Sequence, residues 1–432
     1  MQQWSLPGNW GWFTLPQVCD INPRRPRIQR DPEALTSFVP MEAVDELEGK
    51  FKEVQAKPYR EVRSGYTYFE ENDVLLAKIT PSMENGKAAI ARGLIDGFGF
   101  GTTEFHVLRP KGLVPRLLPE ITLLPEWIFY YVRRKDFRDE AKSNFRGAVG
   151  QQRVPQSFLE TYPIPVPYPD NVERSIAAQR RIVARIEALL AEVREMRELN
   201  TQILTNTSTL RRSVVLNLFQ DLERSQKDGW RRIKIDNNSV DIKSGFACAR
   251  RNMVPQGAPH LRPFNIDTKG EVIITDDTVT IPPDFRDDLD EFRLLPGDVL
   301  YNNTNSVELV GKSGIVRKPM AVAFSNHLNR IRVRDPETLD PRWLVLALRN
   351  LFEKGFFAAN CVKWIGQAGF SITRLAEVEI LLPDFNTQQK AIAQIENAQS
   401  EIDEMEFYSK ENSQLIAVME QAILAQAFRG EL

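Results

Sequence analysis

Two short turns carry the residues of this sequence that are best suited to binding an anion or a nucleic-acid base. ENGKAAIA (residues 84–91) and LVGKSGIV (residues 309–316) each place a lysine directly after a glycine, between runs that are typical of strands. Glycine lets the backbone approach a ligand closely, and lysine supplies a cation for a phosphate or for the O6 and N7 atoms of guanine. The pattern predicts two equivalent binding turns, and an ordinary hairpin with a solvated lysine is the alternative.

Polar loop residues near these turns have side chains that can contact base edges. Amides can pair bidentately with adenine, and lysine or arginine can pair with guanine. The alternative for each residue is a hydrogen bond to its own backbone. A basic run at Arg133, Arg134, Lys135 and Arg138 could contact phosphates without reading sequence. The predicted DNA-binding residues are Lys78, Thr80, Asn85, Lys87, Thr103, Gln151, Gln152 and Arg153 in the first half of the chain, and Asn302, Asn303, Asn305, Ser306, Lys312, Asn326, His327, Arg330 and Gln367 in the second.

The sequence offers little for catalysis. His106, His260 and His327 are far apart, which disfavours a metal cluster or a Ser–His pair. The Gly-Lys-Ser of the second turn does not match a nucleotide-binding loop, because Ser306 stands where that motif has its first glycine and no helix is predicted after Ser313. We therefore expect a protein that is not an enzyme and that holds no metal or cofactor of its own.

Composition and length limit the classes of protein further. The chain has 432 residues, 42% of them hydrophobic and 26% charged, which is ordinary for a globular protein of several domains. A net charge of −2 gives no general attraction to nucleic acid, so any DNA contact depends on local patches. Cys19, Cys248 and Cys361 are too few and too far apart for a disulfide framework. Without a signal peptide or a long apolar run, the sequence predicts a cytoplasmic protein with no membrane partner.

A faint internal repeat organises the chain. WIFYYVRRKDF (residues 127–137) aligns with WLVLALRNLF (residues 343–352), and the same spacing of 216 residues pairs Gln151 with Gln367. The residues before and after these segments also correspond, at spacings of 225 and 209. Alternating and β-branched runs within each copy, such as EVIITDDTVTI (residues 271–281), predict strands, and EWIFYYVRRKDFRDEA (residues 126–141) predicts a short amphipathic helix. These patterns indicate mixed α and β structure. The sequence thus predicts two similar modules, each followed by a long helix.

The two helices carry matching apolar stripes. QRRIVARIEALLAEVREM (residues 179–196) and QQKAIAQIENAQSEIDEM (residues 388–405) lack glycine and proline and place apolar residues three and four apart. We expect the stripes to bury each other in an intramolecular antiparallel coiled coil with pseudo-twofold symmetry, about 60 Å long at 1.5 Å per residue. Homodimerisation through either helix is the alternative. The predicted seam comprises Ile186, Leu189, Val193, Met196 and Ile203 with Ile395, Ile402, Met405, Ile416 and Met419.

Several motifs, in a fixed order over essentially the whole chain, resemble the specificity (S) subunits of type I restriction-modification enzymes. They are GNWGWFTL, DVLLAKITPSMENGKAAIA, GTTEFHVLRP, GQQRV, AAQRRIVARIEALL, PGDVLYNNTNSVELVGKSGIV and AILAQAFRGEL. The resemblance implies an α+β fold with two mixed α/β target-recognition domains, at residues 1–170 and 226–385. It also implies a central long helix at 171–225 that pairs with a C-terminal long helix at 386–432.

The same resemblance implies a function. Each domain would read one half of a split target in double-stranded DNA, and two adenine methyltransferase subunits would dock against the helices. Restriction motor subunits would join through the methyltransferases, so S-adenosylmethionine, ATP and magnesium would belong to these partners. Asn303 departs from the family pattern, which has a basic residue there. A structural or adaptor protein with two ligand-binding modules on a coiled-coil stalk is the alternative.

Overall fold

The computed structural model describes residues 4–46, 48–112, 121–148, 150–225 and 230–432. The chain divides into two compact units, Met1–Leu199 with Asn412–Leu432, and Asn200–Glu411. Each unit contains one mixed α/β module and a part of each long helix. The expected start of the second target-recognition domain, at residue 226, lies outside the described residues.

The first module is built from short strands that form two four-stranded sheets and one two-stranded pair. The sheet orders are β2–β9–β6–β7 and β4–β3–β8–β5, and β1 pairs with β10 in antiparallel fashion. The elements are β1 (Trp10–Thr14), α1 (Leu15–Val18), β2 (Cys19–Ile21), β3 (Leu35–Val39), β4 (Gln55–Pro58), α2 (Tyr59–Val62), β5 (Thr67–Glu70), β6 (Val74–Ala77), β7 (Ala88–Ile90), β8 (Phe98–Gly101), β9 (Phe105–Pro110), α3 (Pro125–Val132), α4 (Lys135–Ser143), α5 (Gln156–Thr161) and β10 (Pro163–Pro167), followed by the long helix α6 (Val172–Arg224).

The second module repeats the main sheet of the first. Its four-stranded order is β12–β19–β15–β17, and β11 pairs with β22 as β1 pairs with β10. Two three-stranded sheets, β14–β13–β18 and β16–β21–β20, complete it. The elements are β11 (Arg231–Lys234), β12 (Val240–Ser244), β13 (Ala258–Leu261), β14 (Thr280–Ile281), β15 (Val299–Asn302), β16 (Thr304–Asn305), β17 (Ser313–Ile315), β18 (Ala323–Phe324), β19 (Leu328–Val333), α7 (Pro341–Glu353), α8 (Phe356–Asn360), β20 (Val362–Trp364), β21 (Gln367–Gly369), α9 (Ile372–Leu375) and β22 (Glu379–Leu382), followed by the long helix α10 (Phe385–Arg429).

An ion pair with a buried carboxylate occurs at the same place in both main sheets. Asp73 accepts two hydrogen bonds of 2.8 Å from Arg109, and Asp298 accepts bonds of 2.6 and 2.7 Å from Arg332. Both carboxylates are almost fully buried, so each needs its arginine to remain charged without a large free-energy penalty. Together with the shared strand order, these pairs confirm that the two modules have similar folds.

Two local predictions were wrong. The single helix predicted around residues 126–141 is two helices, α3 and α4, because Arg134 adopts an extended conformation between them. The Arg134 guanidinium is buried against Tyr131 and Trp4 and bonds to Asp136, which stabilises this break. The strand predicted over residues 271–281 is reduced to Thr280–Ile281, since Glu271 and Val272 make only isolated bridges and Asp276 and Asp277 form a turn.

The long helices α6 and α10 pack side by side in each unit. In the first unit, Arg197 on α6 bonds to Glu420 on α10 at 2.8 Å. In the second unit, Asn200 bonds to Ser409, and Arg211 bonds to Glu406 at 3.0 Å. Residue numbers therefore rise along α6 while those of its partners fall along α10. This confirms the predicted antiparallel pairing within one chain.

The buried seam is narrower than predicted. The buried side chains recur at intervals of seven residues, among them Ile186 and Val193 on α6 and Ile395, Ile402 and Ile416 on α10, while Leu189 and Met196 are partly exposed. Ile203, Met405 and Met419 correct the prediction, because they are 44%, 49% and 42% exposed. Contact between the two helices alone buries one row of apolar side chains on each. The second apolar row is buried only where a module packs against the helix, as at Ile182.

Charge on the two helices disfavours pairing of either helix with itself. Arg197 and Arg211 lie on α6, and their acidic partners Glu420 and Glu406 lie on α10. The repeat relates Arg197 to Glu406 and Arg211 to Glu420 at a spacing of 209 residues. An antiparallel pair of two α6 helices in the same register would therefore place arginine against arginine, and a pair of two α10 helices would place glutamate against glutamate. This arrangement argues against the homodimer alternative.

The Arg197–Glu420 pair provides a test of this electrostatic contribution. Arg197→Glu and Glu420→Arg should each lower the free energy of unfolding by about 1–2 kcal/mol, because each places like charges in a partly buried contact. The double exchange should recover only part of the loss, since an arginine at position 420 would lie beside Arg133, now 3.9 Å from the Glu420 carboxylate. Urea unfolding of the four proteins measures the coupling.

A control is available on the same helix. Glu198→Arg changes an exposed side chain next to Arg197 and should alter the free energy of unfolding by less than about 0.5 kcal/mol. Strict additivity of the two exchanges would show that the ion pair contributes nothing to the pairing of α6 and α10.

Candidate nucleic-acid interface

Backbone hydrogen bonds bring several of the predicted first-module residues together. The Thr80 amide donates to the Gln152 carbonyl at 3.0 Å, and the Val154 amide donates to the Lys78 carbonyl at 2.9 Å. The Lys78 amide in turn donates to the Glu104 carbonyl at 2.9 Å, next to the exposed Thr103. The loop after β6, the start of β9 and the GQQRV segment thus form one polar surface. Gln151 is exposed at its edge.

Arg153 on this surface is already paired. Its guanidinium donates to both carboxylate oxygens of Glu104, at 2.9 and 2.8 Å. These hydrogen bonds are the main reason that the pKa of Glu104 is lowered. Arg153 would therefore exchange one anionic partner for another on binding a phosphate or a guanine. In the described part of the chain, the Thr80 hydroxyl is buried without a hydrogen-bond partner.

Both Gly-Lys turns have the geometry that the sequence predicts. Gly86 and Gly311 adopt left-handed conformations, with φ of +75° and +88°. A side chain at Gly311 would also collide with Phe357, because an added Cβ atom would lie 2.2 Å from that ring. Ser313 begins strand β17 rather than a helix, which confirms that the second turn is not a nucleotide-binding loop.

The lysines and the amide in these turns differ in their surroundings. The Lys312 ammonium donates to the Ile266 carbonyl at 2.6 Å, and partial burial lowers its pKa. Lys87 is partly exposed, and its backbone amide closes the first turn on Ser82. Asn85 is exposed and its amide lies 3.5 Å from Glu46. Lys312 is thus oriented by the protein, as a preformed ligand-binding group would be.

The second-module residues surround a pocket of about 610 Å³. Its polar lining comes from the loop after β15, the Gly-Lys turn and the start of β21. Phe264 and Leu309 add an apolar wall, and both are largely exposed. Among the described residues that line this pocket, none carries a carboxylate. The predicted residues in its lining are Asn302, Asn305, Ser306, Lys312, His327 and Gln367.

Three of the predicted second-module side chains are held by hydrogen bonds within the protein. Asn302 is fully buried and donates to the Leu309 carbonyl at 2.9 Å. The Asn303 amide donates to Asn329 at 2.8 Å, and Arg330 is buried and bonds to Asp241 at 2.8 Å. These side chains hold the loops in position. The exposed Asn326 and Gln367 and the partly exposed Asn305 are better placed to contact a base.

The basic run on α3 and α4 is not the exposed patch that the sequence suggests. Arg133 and Arg134 are 8% and 2% exposed. Arg138 donates to the Glu84 carbonyl at 2.8 Å, and Lys135 pairs with Asp139. The charged groups of these residues bind partners within the module, so few of them are available to contact DNA phosphates.

Sequence reasoning missed four groups at these surfaces. Glu104 is the partner of Arg153, and its place in the GTTEFHVLRP motif was the available signal. Phe264, Leu309 and Trp364 were missed because isolated apolar residues in loops look like core residues. Only their exposure in the structure marks them as surface groups.

The described residues contain no group of three or more His, Cys, Asp or Glu side chains that could hold a metal ion. In the same ranges, no helix combines the length and the hydropathy needed to cross a bilayer.

Comparisons with known proteins find specificity subunits of type I restriction enzymes. The chain is 39% identical over 187 residues to the EcoEI type I restriction enzyme specificity subunit of Escherichia coli, and 35% identical over 188 residues to the EcoAI specificity subunit of the same species. Each match covers 43% of this chain but only 28% and 29% of those relatives' length. A third, the EcoKI specificity subunit of Escherichia coli K12, is 25% identical over 73% of this chain and 67% of the relative.

The chain is therefore similar to the specificity subunits of type I restriction enzymes. Solved structures support the fold over its full length. A chain from a type I R-M system superposes with a TM-score of 0.75 at 22% identity, covering 100% of both chains. The HsdS subunit of Thermoanaerobacter tengcongensis gives a TM-score of 0.60 at 23% identity, covering 99% of both. No protein-family model matches the sequence.

The difference between buried amides that support the loops and exposed amides is testable. Asn302→Ala should lower the free energy of unfolding by about 1–3 kcal/mol, because it removes a fully buried side chain together with its hydrogen bond to the Leu309 carbonyl. Asn326→Ala is the matched control, since its side chain is exposed, and should change stability by less than about 0.5 kcal/mol. Equal stability of the two variants in thermal unfolding would contradict the assignment of Asn302 to a structural role.

Proposed function

We propose that this chain is the noncatalytic DNA-recognition subunit of a type I restriction-modification complex, and that each module reads one half of a bipartite target. The observation that carries the proposal is the repetition of one polar loop arrangement. In both modules, the segment after the central strand of the main sheet pairs with the segment that contains Gln151 in the first module and Gln367 in the second. Thr80 bonds to Gln152, and Thr304 pairs with Gly369. Two similar DNA-reading modules in one chain fit a DNA target that consists of two half-sites.

The chemistry of these loops suits sequence reading more than general DNA affinity. The accessible groups are mainly amides and hydroxyls, which discriminate base pairs by their hydrogen-bond patterns. The chain has a net charge of −2, and the basic run on α3 and α4 is engaged internally. Base contacts therefore supply the specificity, and the complex as a whole supplies much of the phosphate attraction.

The helices carry surfaces suited to partner proteins. Exposed apolar residues include Leu199 and Met419 in the first unit and Leu210 and Tyr408 in the second. Leu199 corresponds to Tyr408 in the repeat, and Leu210 corresponds to Met419, at the spacing of 209 residues. Exposed apolar patches of this kind mark interaction surfaces. One equivalent surface in each unit supports the docking of two adenine methyltransferase subunits.

The other parts of the proposed complex follow from this arrangement. Restriction motor subunits bind through the methyltransferases, and S-adenosylmethionine, ATP and magnesium are held by these partners. This chain contributes the choice of sequence and the docking surfaces, and no catalytic group.

Co-expression with a type I adenine methyltransferase subunit from the same genome tests DNA reading. Genome-wide mapping of N6-methyladenine should reveal one bipartite motif. Asn305→Ala with Gln367→Ala should relax or abolish the bases of one half only, because these residues belong to the second module, whereas Gln151→Ala with Gln152→Ala should affect the other half. A continuous motif, or the same half altered by both pairs, would contradict the proposal, and absence of any methylation would favour the adaptor alternative.

A second prediction concerns the docking surfaces. Phe407→Ser with Tyr408→Ser should remove one of two bound methyltransferase subunits, because the first unit keeps its own exposed surface. Native mass spectrometry of the co-purified complex measures the stoichiometry. Leu35→Ser, a change of an equally exposed apolar residue on the first module, is the control and should leave two subunits bound. Retention of both subunits by the double variant would show that docking does not use this part of α10.

A further inference from the structure

An exposed apolar hairpin lies next to the second-module pocket. Strands β20 and β21 are joined by Ile365 and Gly366, and Gly366 adopts a left-handed conformation with φ of +76°. Ile365 is fully exposed, and Val362 and Trp364 are about half exposed. β20 is the edge strand of its sheet, and Lys363 is its one charged residue, exposed like its apolar neighbours. Three apolar residues in four positions therefore indicate a contact surface.

The hairpin is held in a defined position. Trp364 faces Gln367 across the two strands, and its ring covers Gly369, where an added Cβ atom would lie 2.6 Å from the ring. β21 pairs on its other side with β16, which carries Thr304 and Asn305. The absence of a side chain at Gly369 makes room for the indole. The packing of Trp364 against Gly369 thus fixes the position of the turn at Ile365, which is not free to fold onto the module.

The neighbours of the hairpin tip determine what it can contact. Gly366 and Gln367 line the pocket that also contains Asn305, Lys312 and His327. Lysine and histidine with several amides, and no carboxylate among the described lining residues, suit an anionic ligand with hydrogen-bonding edges. In the major groove, adenine presents its N6 and N7 atoms to an amide, and its paired thymine presents a 5-methyl group to an apolar side chain. An amide at Gln367, two residues from the exposed Ile365, matches that combination.

We infer that Ile365, supported by Trp364, contacts a thymine methyl group in the half-site read by the second module, while Gln367 contacts the adenine of the same or the adjacent base pair. This inference rests on the proposed function and adds the chemical group that is read. It also makes the two modules unequal. At the spacing of 216 residues, Trp364 corresponds to Ala148 in the first module, which lacks the supporting ring.

Base substitution in a short duplex tests the contact. The target identified by methylation mapping is prepared with each thymine of the second half-site replaced in turn by deoxyuridine, which removes only the 5-methyl group. Binding of the methyltransferase complex should weaken about four-fold at one position, as expected for one buried methyl group. Ile365→Ala should weaken binding to the unmodified duplex roughly ten-fold and abolish the difference between thymine and uracil.

Two controls separate this contact from a general loss of binding. Ile274→Ala changes an exposed isoleucine of the same unit that does not line the pocket, and should keep both the affinity and the thymine preference. Uracil in the first half-site should have the same effect on the wild type and on Ile365→Ala.

The outcomes distinguish this inference from the function on which it rests. Specific binding with no thymine preference in the second half-site, a half-site without an A·T pair, or an unchanged preference in Ile365→Ala would overturn the methyl contact and leave the DNA-reading function intact. Absence of specific binding by the unaltered complex would contradict the proposed function itself, and the methyl contact with it.

Discussion

The pairing of α6 with α10 is the constraint on which the architecture depends. Each helix has a narrow buried row, and neither could remain in water alone without exposing it. The row includes a polar layer, where Asn200 and Ser409 exchange hydrogen bonds of 2.7 and 2.8 Å. A buried polar layer fixes register, because any shift would leave these groups without partners. The opposite charges on the two helices add a preference for this partner.

In each module, buried residues support the polar loops and other residues of the loops remain accessible. Buried groups such as Asn302 and the Asp298–Arg332 pair hold the strands and loops, while neighbouring residues remain accessible. Rigid support matters for reading DNA, since discrimination between bases depends on placing an amide within hydrogen-bond distance of one edge. The left-handed glycines of both turns serve the same purpose by fixing the path of the backbone.

The repeat, the helices and the Gly-Lys turns could be predicted from sequence because each depends on a periodic or local pattern. Whether an individual polar side chain is buried or exposed could not be predicted, since this depends on contacts between distant segments. Arg133 and Arg134 look like a surface patch in sequence, yet the module buries them. Asn302 and Gln367 are equally plausible base-contacting residues by residue type. Only the structure shows that Asn302 is buried and that Gln367 is exposed. The exposed tip at Ile365 likewise has no distinctive sequence pattern.

The central claim, that α6 and α10 pair within one chain, is tested most directly by a cysteine pair in the polar layer. Asn200→Cys with Ser409→Cys, in a Cys361→Ser background, places two thiols where the native side chains are in hydrogen-bond contact. Mild oxidation should give a disulfide within a single chain, with the mass of the monomer and faster migration on a non-reducing gel. Covalent dimers, or two thiols that stay reduced in the folded protein, would contradict the account.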